Sequence, residues 1–336
     1  MAEILHYLTT SLCPQYTEYK IDKFCKPGKY VEFHAFPPLA LSEIFTDIEE
    51  KAAKENLPLH ILHNPLDDSV TGIYLPSLQA GVWQADIFAP GTINFTTLYA
   101  PEHAENLQEI YRKAAAVYKA AKTYHDLEEE IYISEMDFEK ADAILERFLA
   151  QLLEGRAKKE KSGVVFHRFF GAGSVHGNLC YIPQLTESVQ KRYFIKGRAG
   201  TGKSTFLKTV AKALLDFGFD TEIYHCSFDP NSLDMVISRE IGICLFDSTA
   251  PHEFYPERET DEIIDFYQEC VTPGTDEKYA DRIFELETAY KGKKHEGLTL
   301  LNELYQAQDS FFGALPPIKD KALQTLKQNV LHTIFE

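Results

Sequence analysis

Residues 192–207 read RYFIKGRAGTGKSTFL, and their pattern determines how the second half of the chain folds. Residues 197–204 match G-x-x-x-x-G-K-[ST], in which small residues let the backbone wrap a chain of phosphates. A short β-branched and aromatic run precedes this loop, and an apolar stripe at helical spacing follows it as far as Gly218. The order of strand, loop and helix predicts an α/β domain with an anion-binding helix N-terminus.

The residue types in this loop suit a triphosphate with magnesium. Lys203 would reach the β and γ phosphates as a point charge, and the Ser204 hydroxyl would ligate the metal. Residues 241–247, IGICLFD, form an apolar run ending in an acid, so Asp247 would hold magnesium through water; the alternative is a cap for the turn before Ser248. The predicted nucleotide-contacting residues are Gly197, Arg198, Ala199, Gly200, Thr201, Gly202, Lys203, Ser204 and Thr205.

The hydrolytic base stays unassigned, because no glutamate directly follows Asp247. Asp229 and Asp234 follow the second predicted strand of this half and could position a water or a substrate hydroxyl. Residues 229–232, DPNS, also suit a turn. Asp229 is therefore a catalytic candidate beside Lys203 and Asp247. Three arginines could supply charge to a transition state, and the sequence does not rank them: Arg198, Arg258 and Arg282.

The second half of the chain repeats the order of signals in the first half. LHILHNPLDD at 59–68 parallels TEIYHCSFDP at 221–230, and AGVWQADIFAP at 80–90 parallels IGICLFDSTAP at 241–251, which pairs Asp86 with Asp247. We therefore expect an internal duplication: two tandem P-loop NTPase-like α/β domains, each with a mostly parallel sheet flanked by helices. The expected bounds are 1–155 and 164–336, with 156–163 as linker. The alternative is two unrelated α/β domains with a similar rhythm of strands and helices.

The first half lacks the chemistry of the phosphate loop. Proline has no N–H to offer a phosphate, alanine carries no cation, and leucine cannot bind magnesium. We expect residues 1–155 to keep the fold without a nucleotide, as a structural or regulatory half in which Asp86 is a relic or a turn cap. The residues aligned with Gly200, Thr201, Lys203 and Ser204 are Pro37, Pro38, Ala40 and Leu41.

Length and charge limit the classes of function. The chain has 336 residues and a formal charge of −17, with 44% hydrophobic residues, which suits two globular domains. The negative charge disfavours a nucleic-acid partner, because most of the surface would repel its phosphates. The cysteines show no CxxC spacing, and no apolar stretch has membrane-spanning length. Reduced thiols, the cytoplasm and no membrane association are the expectations.

The sequence resembles a family of poorly characterised bacterial P-loop ATPases built from two tandem P-loop domains. The resemblance spans nearly the whole chain and is strongest over residues 186–237 and 241–252. The Pro37-Pro38 loop departs from a fully paired pattern, which argues against a mechanism with two active nucleotide sites. The resemblance implies ATP and magnesium, in a cytoplasmic protein, at Gly200, Gly202, Lys203, Ser204, Thr205 and Asp247.

Three functions remain open at this stage. The first is a magnesium-dependent ATPase whose hydrolysis drives a change between the halves or in a partner. The second is a small-molecule or nucleotide kinase, in which residues 256–294 could form a lid with the basic cluster at 291–294. The third is a nucleotide-gated binding or scaffold protein with little hydrolysis, which the missing base favours. A protein partner or a homo-oligomer also stays open.

Residues 321–335 are predicted to form an amphipathic helix that docks on a domain.

Overall fold

The computed structural model describes residues 2–12, 17–34, 36–85, 101–315 and 317–336, and only the backbone of 101–105. The strands are β1 (Ile4–Leu8), β2 (Thr10–Ser11), β3 (Thr17–Glu18), β4 (Tyr30–Phe33), β5 (Leu59–His63), β6 (Val70–Leu75), β7 (Ala80–Gln84), β8 (Val165–Arg168), β9 (Gly171–Ser174), β10 (Gly177–Cys180), β11 (Lys191–Lys196), β12 (Thr221–His225), β13 (Leu233–Ser238), β14 (Ile243–Asp247) and β15 (Glu262–Asp265). The helices are α1 (Pro38–Lys54), α2 (Pro101–Ser134), α3 (Phe138–Leu153), α4 (Ile182–Leu185), α5 (Lys203–Phe217), α6 (Phe266–Cys270), α7 (Thr275–Lys278), α8 (Ala280–Gly313) and α9 (Asp320–Phe335).

The chain divides into two compact units that alternate along the sequence. The first unit comprises Met1–Ala115, Phe170–Gln184 and Gly297–Glu336, and the second comprises Ala116–Phe169 and Leu185–Glu296. The sequence had suggested contiguous halves. The division differs because the β9–β10 hairpin and α9 belong to the first unit, although both follow the predicted linker 156–163, which contains neither helix nor strand.

The first unit is built on a five-stranded sheet in the order β1-β5-β6-β7-β4. Helices α1 and α9 pack on it, with Ile44 and Ile48 from α1 and Val330 and Ile334 from α9 all buried in one apolar core. The predicted docking of the C-terminal amphipathic helix on a domain is confirmed. Its apolar face covers the first unit.

The second unit is built on a six-stranded sheet in the order β15-β11-β14-β13-β12-β8. Helix α5 forms because Phe206, Leu207, Val210 and Leu214 make one apolar stripe, which is buried in a core shared with α3, β13 and β14. Gly218 ends the helix in the left-handed conformation, with a φ of 95°. This packing holds the beginning of α5 at the end of β11.

Both sheets are mixed, which corrects the expectation of mostly parallel sheets. In the second unit β11 runs parallel to β14 and β15, and β8 runs parallel to β12, but β13 is antiparallel to both β12 and β14. The connections at 226–232 and 239–242 are too short for a crossover, which needs about a dozen residues to return a strand in parallel. The chain must therefore reverse direction at each of these turns.

The two sheets have five strands in the same order and the same relative directions. The first sheet, β1-β5-β6-β7-β4, corresponds strand by strand to β8-β12-β13-β14-β11 in the second. Each sheet has a register shift at the equivalent point, before His63 in one and before His225 in the other. The same histidine pair follows in each: His6 Nδ1 lies 2.9 Å from His63 Nε2, and His167 Nδ1 lies 2.9 Å from His225 Nε2.

The His167–His225 pair makes the stability of the protein depend on pH. His225 Nδ1–H donates to the carbonyl of Pro230 at 2.7 Å, so its Nε2 is the acceptor for His167. Burial, with the charges of His167 and Lys208, lowers the pKa of His225 from 6.5 to about 4. As the pH falls, His225 is therefore protonated in the unfolded chain before it is protonated in the folded protein. The free energy of unfolding consequently decreases between about pH 6.5 and 4.

We expect the urea midpoint of unfolding to be lower at pH 5 than at pH 7.5, and this difference to shrink in His225→Gln. His332 is the matched control, because it is exposed on α9 and His332→Gln should leave the pH dependence unchanged. A His225→Gln variant with the wild-type dependence on pH would contradict the assignment.

Candidate functional site

The predicted phosphate loop lies between β11 and α5, where its glycines fix its shape. Gly200 and Gly202 have φ angles of 75° and 84°, a region that residues with a Cβ rarely adopt. A Cβ on Gly200 would also lie 2.6 Å from the carbonyl oxygen of Glu129, so α2 packs directly against this side of the loop. Gly202 precedes α5 as its N-cap, and the loop therefore leads straight into the helix N-terminus.

Lys203 lies across the opening of this loop. Its side chain is 10% exposed, and its Nζ donates to the carbonyl of Arg198 at 2.7 Å and lies 3.6 Å from Asp247 Oδ2. The Thr201 hydroxyl donates to the same carbonyl at 2.8 Å. The ammonium group is thus held where a phosphate oxygen can replace the Arg198 carbonyl as its partner.

Ser204 and Asp247 face the loop from neighbouring elements. Asp247 ends β14, directly opposite Ile195 on the parallel strand β11. Its Oδ1 accepts hydrogen bonds from the amide and hydroxyl of Thr249 at 3.1 and 2.6 Å, while its Oδ2 faces Lys203. Asp247 therefore caps the turn with one oxygen and presents the other to the loop. The Ser204 hydroxyl accepts a hydrogen bond from the amide of Leu233 at 2.9 Å.

Two other carboxylates of the second unit, Asp229 and Asp234, were singled out from the sequence, and they have different surroundings. Asp229 Oδ1 accepts a hydrogen bond from the amide of Asn231 at 3.1 Å, and its Oδ2 lies 3.3 Å from Lys122 Nζ. Asp229 is therefore a turn residue that also forms an ion pair. Asp234, on β13, lies among the charged groups of the loop. Burial, and then the negative charge of Asp247, raise the pKa of Asp234 to about 7, against the opposing effect of Lys203.

Aromatic side chains from α2, α8 and the turn after β12 pack together beside the loop. Phe228 lies 5.7 Å from Tyr290 and 6.4 Å from His125 between ring centroids, and His125 lies 5.9 Å from Tyr290. His125 Nδ1 lies 3.7 Å from Glu129 Oε1, and the carbonyl of Glu129 packs against Gly200, so the cluster borders the loop. These contacts give the site an apolar wall.

A second group of possible metal ligands lies on α2. The ligand atoms of His125, Asp126 and Glu129 lie within 4.8 Å of one another. Lys122 Nζ bonds Asp126 at 2.6 Å and would compete with a cation there. The metal ligands predicted from the sequence, Ser204 and Asp247, lie elsewhere, at the start of α5 and at the end of β14.

The three candidate arginines all have protein partners. Arg198 pairs with Asp276 at 2.6 Å and stacks on the ring of Tyr267, and Arg258 donates to the carbonyls of Val189 and Glu187. Arg282 forms an ion pair with Glu285 at 3.2 Å on the surface. A different cation, Lys294 on α8, lies over the ring of Tyr290 in the aromatic cluster and has no such partner among the described residues; the sequence did not single it out.

The equivalent turn of the first unit is shorter. Phe33 of β4 is opposite Gln84 of β7, and Ile195 of β11 is opposite Asp247 of β14, so Phe33 and Ile195 occupy equivalent positions. Four residues, 34–37, lie between Phe33 and α1. Seven residues, 196–202, lie between Ile195 and α5. The turn of the first unit is therefore too short to form the same cradle. Gln84 takes the register position of Asp247. The sequence had aligned Asp86 with Asp247 instead, and Asp86 lies outside the described residues. Cys13 also lies outside them.

The aligned residues of the first unit have structural roles. Pro38 begins α1 directly after Pro37, while Ala40 and Leu41 are buried in the first unit. The described cysteines are all free: Cys25, Cys180, Cys226, Cys244 and Cys270.

Comparison with family models, curated proteins and solved structures found no match for this chain. Among the described residues, no helix combines the length and the apolar character needed to cross a membrane. The case for a function therefore depends on the geometry of the loop and its surroundings.

Proposed function

We propose that the second unit binds ATP with magnesium at residues 197–205 and hydrolyses it. The observation that carries this proposal is the arrangement of the loop between β11 and α5, with Lys203 Nζ 3.6 Å from the carboxylate that ends the adjacent parallel strand. The loop amides and the N-terminus of α5 suit a phosphate chain, and Lys203 suits its β and γ phosphates. Adenine is preferred because the sequence contains no Asn-Lys-x-Asp element.

Ser204 and Asp247 would hold the magnesium ion, which neutralises charge on the β and γ phosphates when bound. Two oxygens suit this role: the Ser204 hydroxyl in the first turn of α5 and Asp247 Oδ2, which is not used by the turn. Asp247 Oδ1 keeps the carboxylate oriented through Thr249. The chemistry of this donor set therefore fits the metal.

We further propose that the two units arose by duplication as tandem P-loop NTPase-like domains, in a bacterial ATPase family of this architecture. The shared order of five strands and the two equivalent histidine pairs support this interpretation. The short turn before α1 and Gln84 at the position of Asp247 support loss of the nucleotide from the first unit. Hydrolysis in one unit then serves a change in conformation or in a protein partner.

The kinase alternative required residues 256–294 to act as a lid. Part of this range belongs to the sheet itself as β15, and Asp261 is bound to Arg192 at 2.6 Å. The described contacts therefore favour hydrolysis over transfer through a mobile lid. Release of ADP that depends on an acceptor would reverse this preference, whereas tight ATP binding without turnover would favour a nucleotide-gated scaffold.

The direct test is calorimetry and thermal unfolding with a panel of nucleotides and magnesium, on wild type and Lys203→Ala. We expect Lys203→Ala to bind ATP about 100-fold more weakly, because the cation that meets the β and γ phosphates is lost. At a concentration 100 times the wild-type Kd, ATP should stabilise wild type by about 2.7 kcal/mol.

Lys212→Ala is the matched control, because Lys212 is exposed on the same helix and pairs with Asp216. It should bind ATP as wild type does. Absence of ATP binding to wild type, by both methods, would show that the proposal is wrong.

A further inference from the structure

Lys294 differs from its neighbours on α8 in having no anionic partner. Lys291 and Lys293 form ion pairs with Glu287 and Glu296 at 2.6 Å. Lys294 is half-buried, and in the part of the chain that the structure describes it forms neither an ion pair nor a hydrogen bond; its ammonium lies 5.3 Å from the ring centroid of Tyr290. Burial without a partner lowers the pKa of Lys294 and costs stability. An anionic ligand would offset this cost.

The surroundings of Lys294 connect it to the phosphate loop. Burial is the largest cause of the lowered pKa of His252. The charge of Asp247 raises that pKa, and the charge of Lys294 lowers it. The ring of Tyr290, over which this ammonium lies, is 5.9 Å from the ring of His125, and His125 Nδ1 lies 3.7 Å from Glu129 Oε1. The carbonyl oxygen of Glu129 in turn lies 2.6 Å from where a Cβ on Gly200 of the loop would be. Tyr290 and α2 therefore connect this part of α8 to the phosphate loop.

Tyr290 fixes α8 at this place. It lies one turn before Lys294 on the helix, and its ring packs against Phe228 and His125. The helix is therefore held beside the turn after β12, and Lys294, one turn farther along, is half-buried there.

We propose that Lys294 binds the terminal phosphate of the nucleoside triphosphate, opposite Lys203, and stabilises the negative charge that develops during its transfer to water. This inference rests on the proposed function. In the reaction the bond from the γ phosphorus to the ADP oxygen breaks, a bond to the water oxygen forms, and the water proton passes to the products. Lys294 stays protonated and forms no covalent bond.

A terminal phosphate fits better than a separate anionic acceptor. Asp247 faces Lys203 at the loop, and its negative charge would repel an anion that arrived without magnesium. A phosphate bound at Lys203 would bring magnesium with it, and Lys294 would then be available as a further cation for its terminal oxygens. Cations placed in this way contribute large factors to phosphoryl transfer in P-loop proteins.

The test compares Lys294→Met, Lys294→Arg and the matched control Lys293→Met, whose lysine is the next one along the helix and pairs with Glu296. Affinities for ATP and ADP with magnesium are measured by calorimetry, and phosphate release is measured in single turnovers. We expect Lys294→Met to hydrolyse ATP about 100-fold more slowly and to bind ATP about tenfold more weakly, with unchanged affinity for ADP. Lys294→Arg should recover part of the rate, and Lys293→Met should match wild type.

Folding is checked through the melting temperature without nucleotide. Lys294→Met should melt no lower than wild type, because it removes an unpaired, half-buried charge. Equal loss of ATP and ADP affinity, or hydrolysis by Lys294→Met at the wild-type rate, would overturn the assignment of Lys294 and leave nucleotide binding at the loop intact. If wild type binds neither nucleotide, both proposals are wrong.

Discussion

Replacement of Asp247 by asparagine is expected to lower ATP turnover by about 10²–10³-fold and to leave the protein folded. Asparagine keeps an oxygen that can accept from the amide and hydroxyl of Thr249, so the turn after β14 should survive. The oxygen that faces Lys203 at 3.6 Å becomes an uncharged NH₂ group. That group cannot bind magnesium or its water ligands, so the metal loses its carboxylate.

The measurement is phosphate release over a range of magnesium concentrations, with melting temperatures as the check on folding. We expect magnesium to raise the ATP affinity of wild type, and Asp247→Asn to lose this gain. Turnover within about threefold of wild type would exclude Asp247 as a metal-binding residue.

Asp229→Asn is the informative comparison. Asp229 was a catalytic candidate from the sequence, but its oxygens bind the amide of Asn231 and the ammonium of Lys122. Asparagine can keep the first contact, and the ion pair is partly exposed, so we expect a change in turnover of less than about threefold. A loss as large as that of Asp247→Asn would instead support Asp229 as a catalytic residue.

Local pattern was sufficient to predict the elements around the loop. The strand before it, the helix up to Gly218 and the strand ending at Asp247 all lie close to their predicted positions. These features depend on neighbours in sequence: glycine for unusual dihedrals, apolar spacing for the helix, and an uninterrupted apolar run for a buried strand. Matching these signals also predicted that both units contain the same succession of strands along the chain, but it did not give the order of the strands in the sheets.

Features that depend on distant contacts were not predicted. The direction of β13 was missed because no account was taken of the short turns on each side of it. The position of α9 on the first unit was missed because an amphipathic helix does not specify which core it covers. Lys294 was noticed only as part of a basic cluster, since the sequence could not indicate that Lys291 and Lys293 have partners and Lys294 has none.

The second large effect is expected for stability, at a buried charge network in the second unit. Glu222 is 8% exposed, and its carboxylate accepts from Arg239 Nε at 2.8 Å and from the Tyr224 hydroxyl at 2.7 Å. Arg168, itself 5% exposed, lies 3.1 Å from the same carboxylate. Burial alone would raise the pKa of Glu222, but the two arginines lower it to about 2. The carboxylate is therefore charged across the physiological range of pH.

The register-equivalent positions of the first unit contain a tyrosine and a histidine, with the Tyr7 hydroxyl 3.1 Å from His60 Nδ1. A carboxylate is thus not required for this sheet to form. What the second unit requires is a partner for Arg168, because a buried guanidinium cannot lose its proton and must be neutralised by a neighbour.

Glu222→Gln should therefore reduce the free energy of unfolding by about 3–5 kcal/mol, because it removes the carboxylate that faces the buried Arg168 guanidinium. Urea unfolding at pH 7.5 measures the effect. The double variant Arg168→Met/Glu222→Gln is the control: it removes the buried positive charge as well, while Arg239 is partly exposed and can be hydrated. We expect the double variant to be more stable than Glu222→Gln alone. If the double variant is the less stable of the two, the cost comes from lost packing and hydrogen bonds rather than from the buried charge of Arg168.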